Sequence, residues 1–198
     1  MKSSGIKTST VLASFLLAAC LSMHAEVKLP AIFSDGMVMQ QQTNANLWGM
    51  ATPNKKVTVT TGWNGKQYAV TADKNGSWKL SVSTPEAGGP YTITFDDGTP
   101  KTLNNILIGE LWLCSGQSNM EMPMKGFKNQ PVENANMDIL RSKNPHIRLF
   151  TVKRTSTITP QNDVVGSWKE AAPVSVRDFS ATAYYFGRLV NEILEVPV

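Results

Sequence analysis

The pattern of the chain changes within residues 104–120, which read NNILIGELWLCSGQSNM. Two apolar runs, at 106–108 and 111–114, together form a nearly continuous apolar segment. A strand that is apolar on both faces is typical of the interior of an α/β sheet covered by helices. We therefore expect an α/β domain to begin at about residue 106.

Residues 27–105, before this segment, alternate with a period of two. Val57, Val59 and Thr61 share one face of a predicted strand, and turn signals such as Asn64-Gly65 and Asp97-Gly98 separate it from its neighbours. Short strands at this spacing, with no helical periodicity between them, predict an antiparallel β-sandwich over residues 26–105.

Residues 106–198 have a mixed pattern. After the apolar strand we expect a helix over 131–140 with Pro131 in its first turn, and a strand over 146–152. A mostly irregular segment over 153–178 precedes a helix over 179–194 that Asp178 would cap. This order predicts the opening of a βαβ-type domain. Because such domains are usually larger, the expectation is a truncated or partial domain.

The first 25 residues have the pattern of a secretory signal peptide. Lys2 and Lys7 precede an apolar stretch over 11–21 that is too short to span a bilayer. Cleavage after Ala25 would release a periplasmic or secreted protein, whereas a lipoprotein signal ending at Cys20 would anchor it to a membrane. We favour the first, because the residues after Cys20 do not form a polar tether.

Charge and cysteine usage exclude several classes of partner. The net charge of +4 falls to about +2 once Lys2 and Lys7 are removed, and no basic run is longer than Lys55-Lys56. Nucleic acid is therefore not expected as a partner. Without Cys20, only Cys114 remains, and we expect it to be a buried apolar residue rather than a disulfide partner or a catalytic thiol. No metal-ligand spacing or nucleotide fingerprint is present, so no cofactor or metal is expected.

Ser118 is the residue whose position points to chemistry. It lies on a turn that leaves the apolar strand, where a hydroxyl can stand above the edge of a sheet, and Gly116 permits a close backbone approach there. The Gly-x-Ser-x-Met spacing lacks the second glycine of the usual nucleophile turn. From spacing alone, both a nucleophile and a capped turn at the end of a strand remain open.

The segment GQSNMEMP at 116–123 resembles the first block of the SGNH-type carbohydrate esterases, specifically the sialate O-acetylesterase family. Other segments follow in the order of that family, including LPAIFSDGMVMQ at 29–40, DKNGSW at 73–78 and IRLF at 147–150. The resemblance extends from about residue 27 to the end of the chain. It implies a β-sandwich N-terminal domain followed by the start of an α/β, SGNH hydrolase-like domain.

The resemblance implies a two-step acyl transfer. Ser118 would attack an acetyl ester of O-acetylated sialic acid or of another acetylated glycan. The N–H of Ser118 would belong to the oxyanion hole, and a second donor would come from the start of the last helix, near Ser180 and Ala181. Two alternatives stay open: a plant-polysaccharide acetylesterase, and a non-catalytic glycan-binding or scaffold protein with a vestigial hydrolase part.

The histidines depart from the family pattern. The family carries its catalytic His and Asp late in the hydrolase domain, whereas the only histidines here are His24, in the signal segment, and His146, in a loop. A serine hydroxyl without a general base is weakly nucleophilic at neutral pH. We therefore expect this chain to lack the catalytic His/Asp segment and to be inactive alone.

Overall fold

A computed structural model describes residues 26–198. The predicted signal peptide at residues 1–25, with Cys20 and His24, lies outside the described residues. The described part forms nine strands: β1 (Val38–Gln40), β2 (Asn44–Met50), β3 (Lys56–Thr61), β4 (Gln67–Thr71), β5 (Ser77–Ser83), β6 (Gly88–Asp96), β7 (Pro100–Gly109), β8 (Asn144–Phe150) and β9 (Trp168–Ala171). It also forms four helices: α1 (Ser118–Glu121), α2 (Ala135–Leu140), α3 (Pro173–Val176) and α4 (Ala181–Leu194).

The first seven strands form two sheets around one core. The larger sheet has the order β1-β7-β6-β3-β4, and β2 pairs separately with β5. Side chains from both sheets, including Leu47 and Trp78 from one and Val59 and Phe95 from the other, belong to the same buried cluster. Full burial of such a side chain is worth about 1.5–3 kcal/mol. The apolar residues of the period-two pattern therefore point into one core that the two sheets share.

The larger sheet is mixed, so the prediction of an antiparallel arrangement is wrong for one strand. β1 pairs parallel to β7, with Val38 opposite Leu107. The chain leaves β1 for β2, in the other sheet, and β1 is left beside β7 at the edge. The predicted hairpin turn at residues 64–65 does connect β3 and β4, and Gly65 has a φ of +67° there, which favours glycine.

The apolar segment at 106–114 does not form one continuous strand. Residues up to Gly109 belong to β7, so the predicted domain boundary at 105/106 falls inside this strand. Ile106 and Ile108 are fully buried in the core of the first two sheets. After Gly109 the chain is irregular and exposed, and 53% of Trp112 and 90% of Leu113 are accessible. The prediction of a buried strand over 111–114 is therefore wrong, since these residues lack the sheet partners that β7 has.

Residues 123–198 surround a second, smaller core. Its buried members include Met124, Ile147, Leu149, Val176 and Tyr184. β8 pairs antiparallel with β9, so these two strands are not the parallel pair of a βαβ unit. β9 and α3 lie within the segment that the sequence predicted to be mostly irregular.

Two predicted helix starts differ from the observed ones. α2 begins at Ala135 after Asn134, whose φ is +56°, so Pro131 lies outside the helix. α4 is capped by Ser180, whose hydroxyl oxygen accepts a hydrogen bond from the N–H of Ala183 at 3.3 Å. Asp178, the predicted cap, instead pairs with Lys125. A carboxylate two residues earlier cannot serve as the cap once the backbone turns at Ser180.

The last three residues connect the two parts of the chain. Val198 accepts a hydrogen bond from the N–H of Arg148 and donates one to the carbonyl of His146, which is the pattern of a parallel pair. The carbonyl of Pro197 accepts from the N–H of Glu110 at 2.8 Å. Residues 196–198 were predicted to enter a further strand. In the structure, backbone hydrogen bonds join residues 197–198 to β8 on one side and to Glu110 on the other.

Within residues 26–198, no helix is both long enough and apolar enough to cross a membrane.

Candidate active site

Ser118 is the first residue of α1 and its side chain is exposed. The carbonyl of Gln117 accepts hydrogen bonds from the N–H groups of Met120 and Glu121, which closes the turn. No hydrogen bond holds the Ser118 hydroxyl among residues 26–198. The hydroxyl is therefore accessible to a substrate, and the first N–H groups of α1 have no partner within the helix.

Gly116 allows the close approach that the sequence predicted. A Cβ at this position would lie 3.2 Å from the Cβ of Met120, closer than most real contacts of this kind. A side chain there would require Met120 to shift by a few tenths of an ångström. The turn that carries Ser118 is therefore compact because Gly116 has no side chain to separate it from Met120.

Glu110 anchors the chain before the serine turn. Its carboxylate accepts hydrogen bonds from the side-chain amides of Gln40, at 3.2 Å, and Gln41, at 2.8 Å. The Gln40 side-chain oxygen also accepts from the N–H of Leu111 at 2.9 Å. Sequence reasoning did not find this cluster, because the glutamines lie about seventy residues before Glu110 and no local pattern connects them.

The start of α4 lies against α1. Thr182 donates to the carbonyl of Asn119 at 3.1 Å, and Ser180 donates to the sulfur of Met120 at 3.4 Å. The N–H of Ala181 donates to the carbonyl of Met122 at 2.8 Å. Ser180 therefore lies next to the serine helix. The Ala181 N–H, however, is already bonded, so the prediction of a free donor is wrong at that residue.

A long connection from β8 to β9 also reaches the serine helix. Arg154 forms an ion pair with Glu121 at 2.8 Å. Further along, Asp163 accepts a hydrogen bond from the N–H of Ala31, and the Asn162 carbonyl accepts from the indole of Trp48. Residues 151–167 thus run from the first core to the side of α1.

His146 does not approach Ser118. It lies near the amino end of β8, where its N–H donates to the side chain of Asn144, and its imidazole is exposed. The hydrogen bonds of His146 join it to Asn144 and Val198, and none joins it to Ser118 in the described part of the chain.

Cys114 is exposed, so the prediction of a buried apolar cysteine is wrong. The strand that would have covered it ends at Gly109. Partial desolvation nevertheless raises the pKa of the thiol above its usual value. A raised pKa keeps the thiol protonated at neutral pH, which does not favour nucleophilic chemistry.

A polar cluster joins α2 to α4. Asp138 accepts a hydrogen bond from the Tyr185 hydroxyl at 2.7 Å and pairs with Arg188 at 2.9 Å. The bond from Tyr185, together with Arg188, lowers the pKa of Asp138. Burial and the same carboxylate raise the pKa of Tyr185 to about 12. In the described part of the chain, no group of three or more His, Cys, Asp or Glu side chains could hold a metal ion.

Arg148 connects the two cores and is the second feature that sequence reasoning missed. Its buried guanidinium donates to the carbonyls of Pro145 and Gly36 and to the side chain of Asn105, and it pairs with Glu170 at 3.3 Å. A signal was present, because a charged residue between Ile147 and Leu149 in a buried strand must find partners.

Comparisons with known proteins find esterases as the relatives of this chain. No protein-family model matches it. It is 30% identical over 204 residues to the sialate O-acetylesterase of Mus musculus, an alignment that covers 92% of this chain and 37% of the relative. It is 26% identical over 189 residues to the sialate O-acetylesterase of Homo sapiens, covering 86% of this chain and 35% of the relative.

A solved structure agrees with these relatives. The fold is similar to the crystal structure of a carbohydrate acetylesterase from Xanthomonas citri, with a TM-score of 0.80 and 30% identity over 87% of this chain and 39% of the other. The chain thus spans little more than a third of the length of the proteins it matches. The resemblance seen in the sequence is confirmed: the curated homologues of this chain are sialate O-acetylesterases, and its structural neighbour is a carbohydrate acetylesterase.

Proposed function

We propose that the chain forms part of a carbohydrate O-acetylesterase in which Ser118 is the nucleophile. The observation that carries this proposal is the exposed Ser118 hydroxyl on the turn at the start of α1. The match to sialate O-acetylesterases and to a carbohydrate acetylesterase supports the reaction class. The fold class proposed is a β-sandwich accessory domain followed by the start of an SGNH-type α/β domain.

The chemistry is an acyl transfer in two steps. The Ser118 oxygen attacks the acetyl carbonyl and its proton passes to a general base. The tetrahedral intermediate then releases the sugar hydroxyl, which takes up that proton. Water attacks the acetyl-enzyme in the second step, giving acetate and free serine. The N–H of Ser118 is the proposed donor to the oxyanion, and a second donor comes from the segment around Ser180.

The general base is proposed to come from outside residues 26–198. Among residues 26–198, the hydrogen bonds of His146 are made by its backbone to Asn144 and Val198, and none reaches Ser118. A His and Asp supplied by further polypeptide would activate Ser118. The 198-residue chain alone is therefore expected to release no acetate.

The proposed substrates are O-acetylated sialic acid or another acetylated glycan. We also propose that residues 1–25 direct export, giving a periplasmic or secreted protein, with lipidation at Cys20 as the alternative. The two proposals agree with each other, because an exported protein would meet glycans outside the cytoplasm.

The test is acetate release from an O-acetylated sugar by the product of the complete coding region. Ser118→Ala is expected to lower the rate by at least about a thousandfold, because the nucleophile is lost. Ser115→Ala, in the same turn, is the matched control and should retain the activity. Equal rates for Ser118→Ala and the unmodified protein would refute the proposal.

A further inference from the structure

The four-residue helix α1, which starts at Ser118, is too short to be stable by itself. Helices shorter than about twelve residues are marginal in water, because the first turn orders several residues for one hydrogen bond. The carbonyl of Gln117 accepts from the N–H of Met120 at 2.9 Å, and the carbonyl of Ser118 accepts from the N–H of Met122 at 3.1 Å. Contacts from other elements must therefore fix the position of Ser118.

The carbonyl of Asn119 has no donor within its own helix. In a continuing helix it would accept from the N–H of the residue four positions later, which here is Pro123. Proline has no N–H, and so this carbonyl needs a partner from elsewhere. The hydroxyl of Thr182, in the first turn of α4, donates to it at 3.1 Å. Thr182 thus replaces the helical donor that Pro123 lacks.

This bond holds the peptide unit between Asn119 and Met120 at both ends. The N–H of the unit, on Met120, donates to the carbonyl of Gln117 and closes the turn whose second residue is Ser118. The carbonyl of the unit, on Asn119, accepts from Thr182. A rotation of this peptide would break the bond that closes the turn and would move the Ser118 side chain. The hydroxyl of Thr182 therefore restrains the direction in which Ser118 points.

Thr182 stands on an anchored element. The N–H of the adjacent Ala181 donates to the carbonyl of Met122 at 2.8 Å, and the N–H of Met124 donates to the carbonyl of Phe179 at 2.9 Å. Ala181 is buried in the second core, whereas the Thr182 side chain is exposed. Loss of the Thr182 hydroxyl would therefore remove the bond to Asn119 without leaving a cavity in the core.

We propose that Thr182 is a positioning residue for Ser118, and that its hydrogen bond to the Asn119 carbonyl holds the turn in the reactive geometry. The proposal rests on the proposed function, because it concerns the placement of the serine assigned there as the nucleophile. Thr182 acts through Asn119 and does not touch the reacting atoms. Placement matters to the rate, since a shift of about 1 Å can lower it about a hundredfold.

The test compares two variants of the product of the complete coding region: Thr182→Val, which keeps the shape and loses the donor, and Thr182→Ser, which keeps the donor. Rapid acid quench and mass spectrometry give the rate constant for acetylation of Ser118 by a saturating O-acetylated sugar. Thr182→Val should lower this rate constant about tenfold, which corresponds to about 1.4 kcal/mol. The half-saturating sugar concentration should stay within about twofold, and Thr182→Ser should stay within about threefold of the unmodified protein in both quantities.

Amide hydrogen exchange measures the turn without any turnover. Thr182→Val should speed exchange within residues 117–122 and leave exchange in β8 and the urea midpoint unchanged. Thr182→Ser should exchange like the unmodified protein. Because a general loss of stability would also speed exchange in β8, this pattern separates positioning of Ser118 from a structural role.

Equal acetylation rates in Thr182→Val and the unmodified protein would overturn the proposal, as would an equal loss of rate in Thr182→Ser. Unchanged exchange within residues 117–122 in Thr182→Val would overturn it too. So would a change in the half-saturating concentration alone, because Thr182 would then act on sugar binding. A protein that releases acetate without acetylating Ser118 would instead refute the proposed function, so the two failures are distinguishable.

Discussion

Arg148 shows at the scale of one residue how the two cores are held together. Its guanidinium contacts Gly36 and Asn105 from the first core and Pro145 and Glu170 from the second. Replacement by Met would leave the buried carbonyl of Gly36 without this donor and would remove the other three contacts. We expect Arg148→Met to lower the free energy of unfolding by about 2–4 kcal/mol in urea titrations. Exposed Arg141→Met is the control, expected within about 0.5 kcal/mol of the unmodified protein; equal losses in both variants would contradict this role.

Asp138 makes stability depend on pH at the acidic end. Its folded pKa lies below the unfolded value of 3.8, because Tyr185 and Arg188 stabilise the carboxylate. The stabilisation is therefore complete above that value and is lost as the pH falls through the folded pKa. Asp138→Asn should be less stable at neutral pH and lose less stability on acidification to about pH 2. Unfolding curves measured across this range with the same acid dependence in both proteins would show that the cluster has no such role.

At the scale of one element, the residue that caps the start of α4 can be tested by substitution. Ser180 caps this helix, whereas Asp178 forms exposed ion pairs with Lys125 and Arg177. Ser180→Ala should cost about 1 kcal/mol of unfolding free energy, and Ser180→Asp should restore most of it. Asp178→Ala should cost less, since exposed ion pairs contribute about 0–1 kcal/mol. A larger loss for Asp178→Ala in thermal melts would assign the cap to the residue that sequence reasoning chose.

Two glycines test how β7 and α4 meet the end of the chain. A Cβ on Gly109 would collide with the carbonyl of Pro197, whereas one on Gly187, inside α4, would meet only Val198 at 3.6 Å. Gly109→Ala should therefore destabilise the protein by about 1–3 kcal/mol. Gly187→Ala should stabilise it by up to about 1 kcal/mol, because alanine is the better helix former. Denaturant midpoints that move in the same direction for both would contradict this packing.

Elements with a strong local signal could be predicted from the sequence, and those set by distant contacts could not. Asn64-Gly65 marks the β3–β4 turn correctly, and the helical spacing before residue 194 marks the body of α4. The parallel position of β1 beside β7 depends on residues about seventy positions away, which no local pattern reveals. The apolar residues at 111–114 read as buried strand because periodicity reports apolarity, not whether partners are present.

At the scale of the whole molecule, the candidate site lies beyond the end of β7. The first core buries Ile106 and Ile108, Glu110 fixes the exit of the strand, and the turn then exposes Ser118 beside the start of α4. The motif that contains Ser118 could be recognised because it is local, but the buried strand expected to lead directly into it ends at Gly109. The contacts that support it could not, because Gln41, Arg154 and Thr182 approach from three distant parts of the chain.

In the proposed reaction, Ser118 carries the acetyl group during turnover. The most direct measurement is mass spectrometry of the complete coding-region product, quenched in acid while it hydrolyses an O-acetylated sugar. We expect one acetyl group on the peptide that contains Ser118, and none on that peptide in Ser118→Ala. Acetate release without acetylation of that peptide, or undiminished turnover by Ser118→Ala, would show that Ser118 is not the nucleophile.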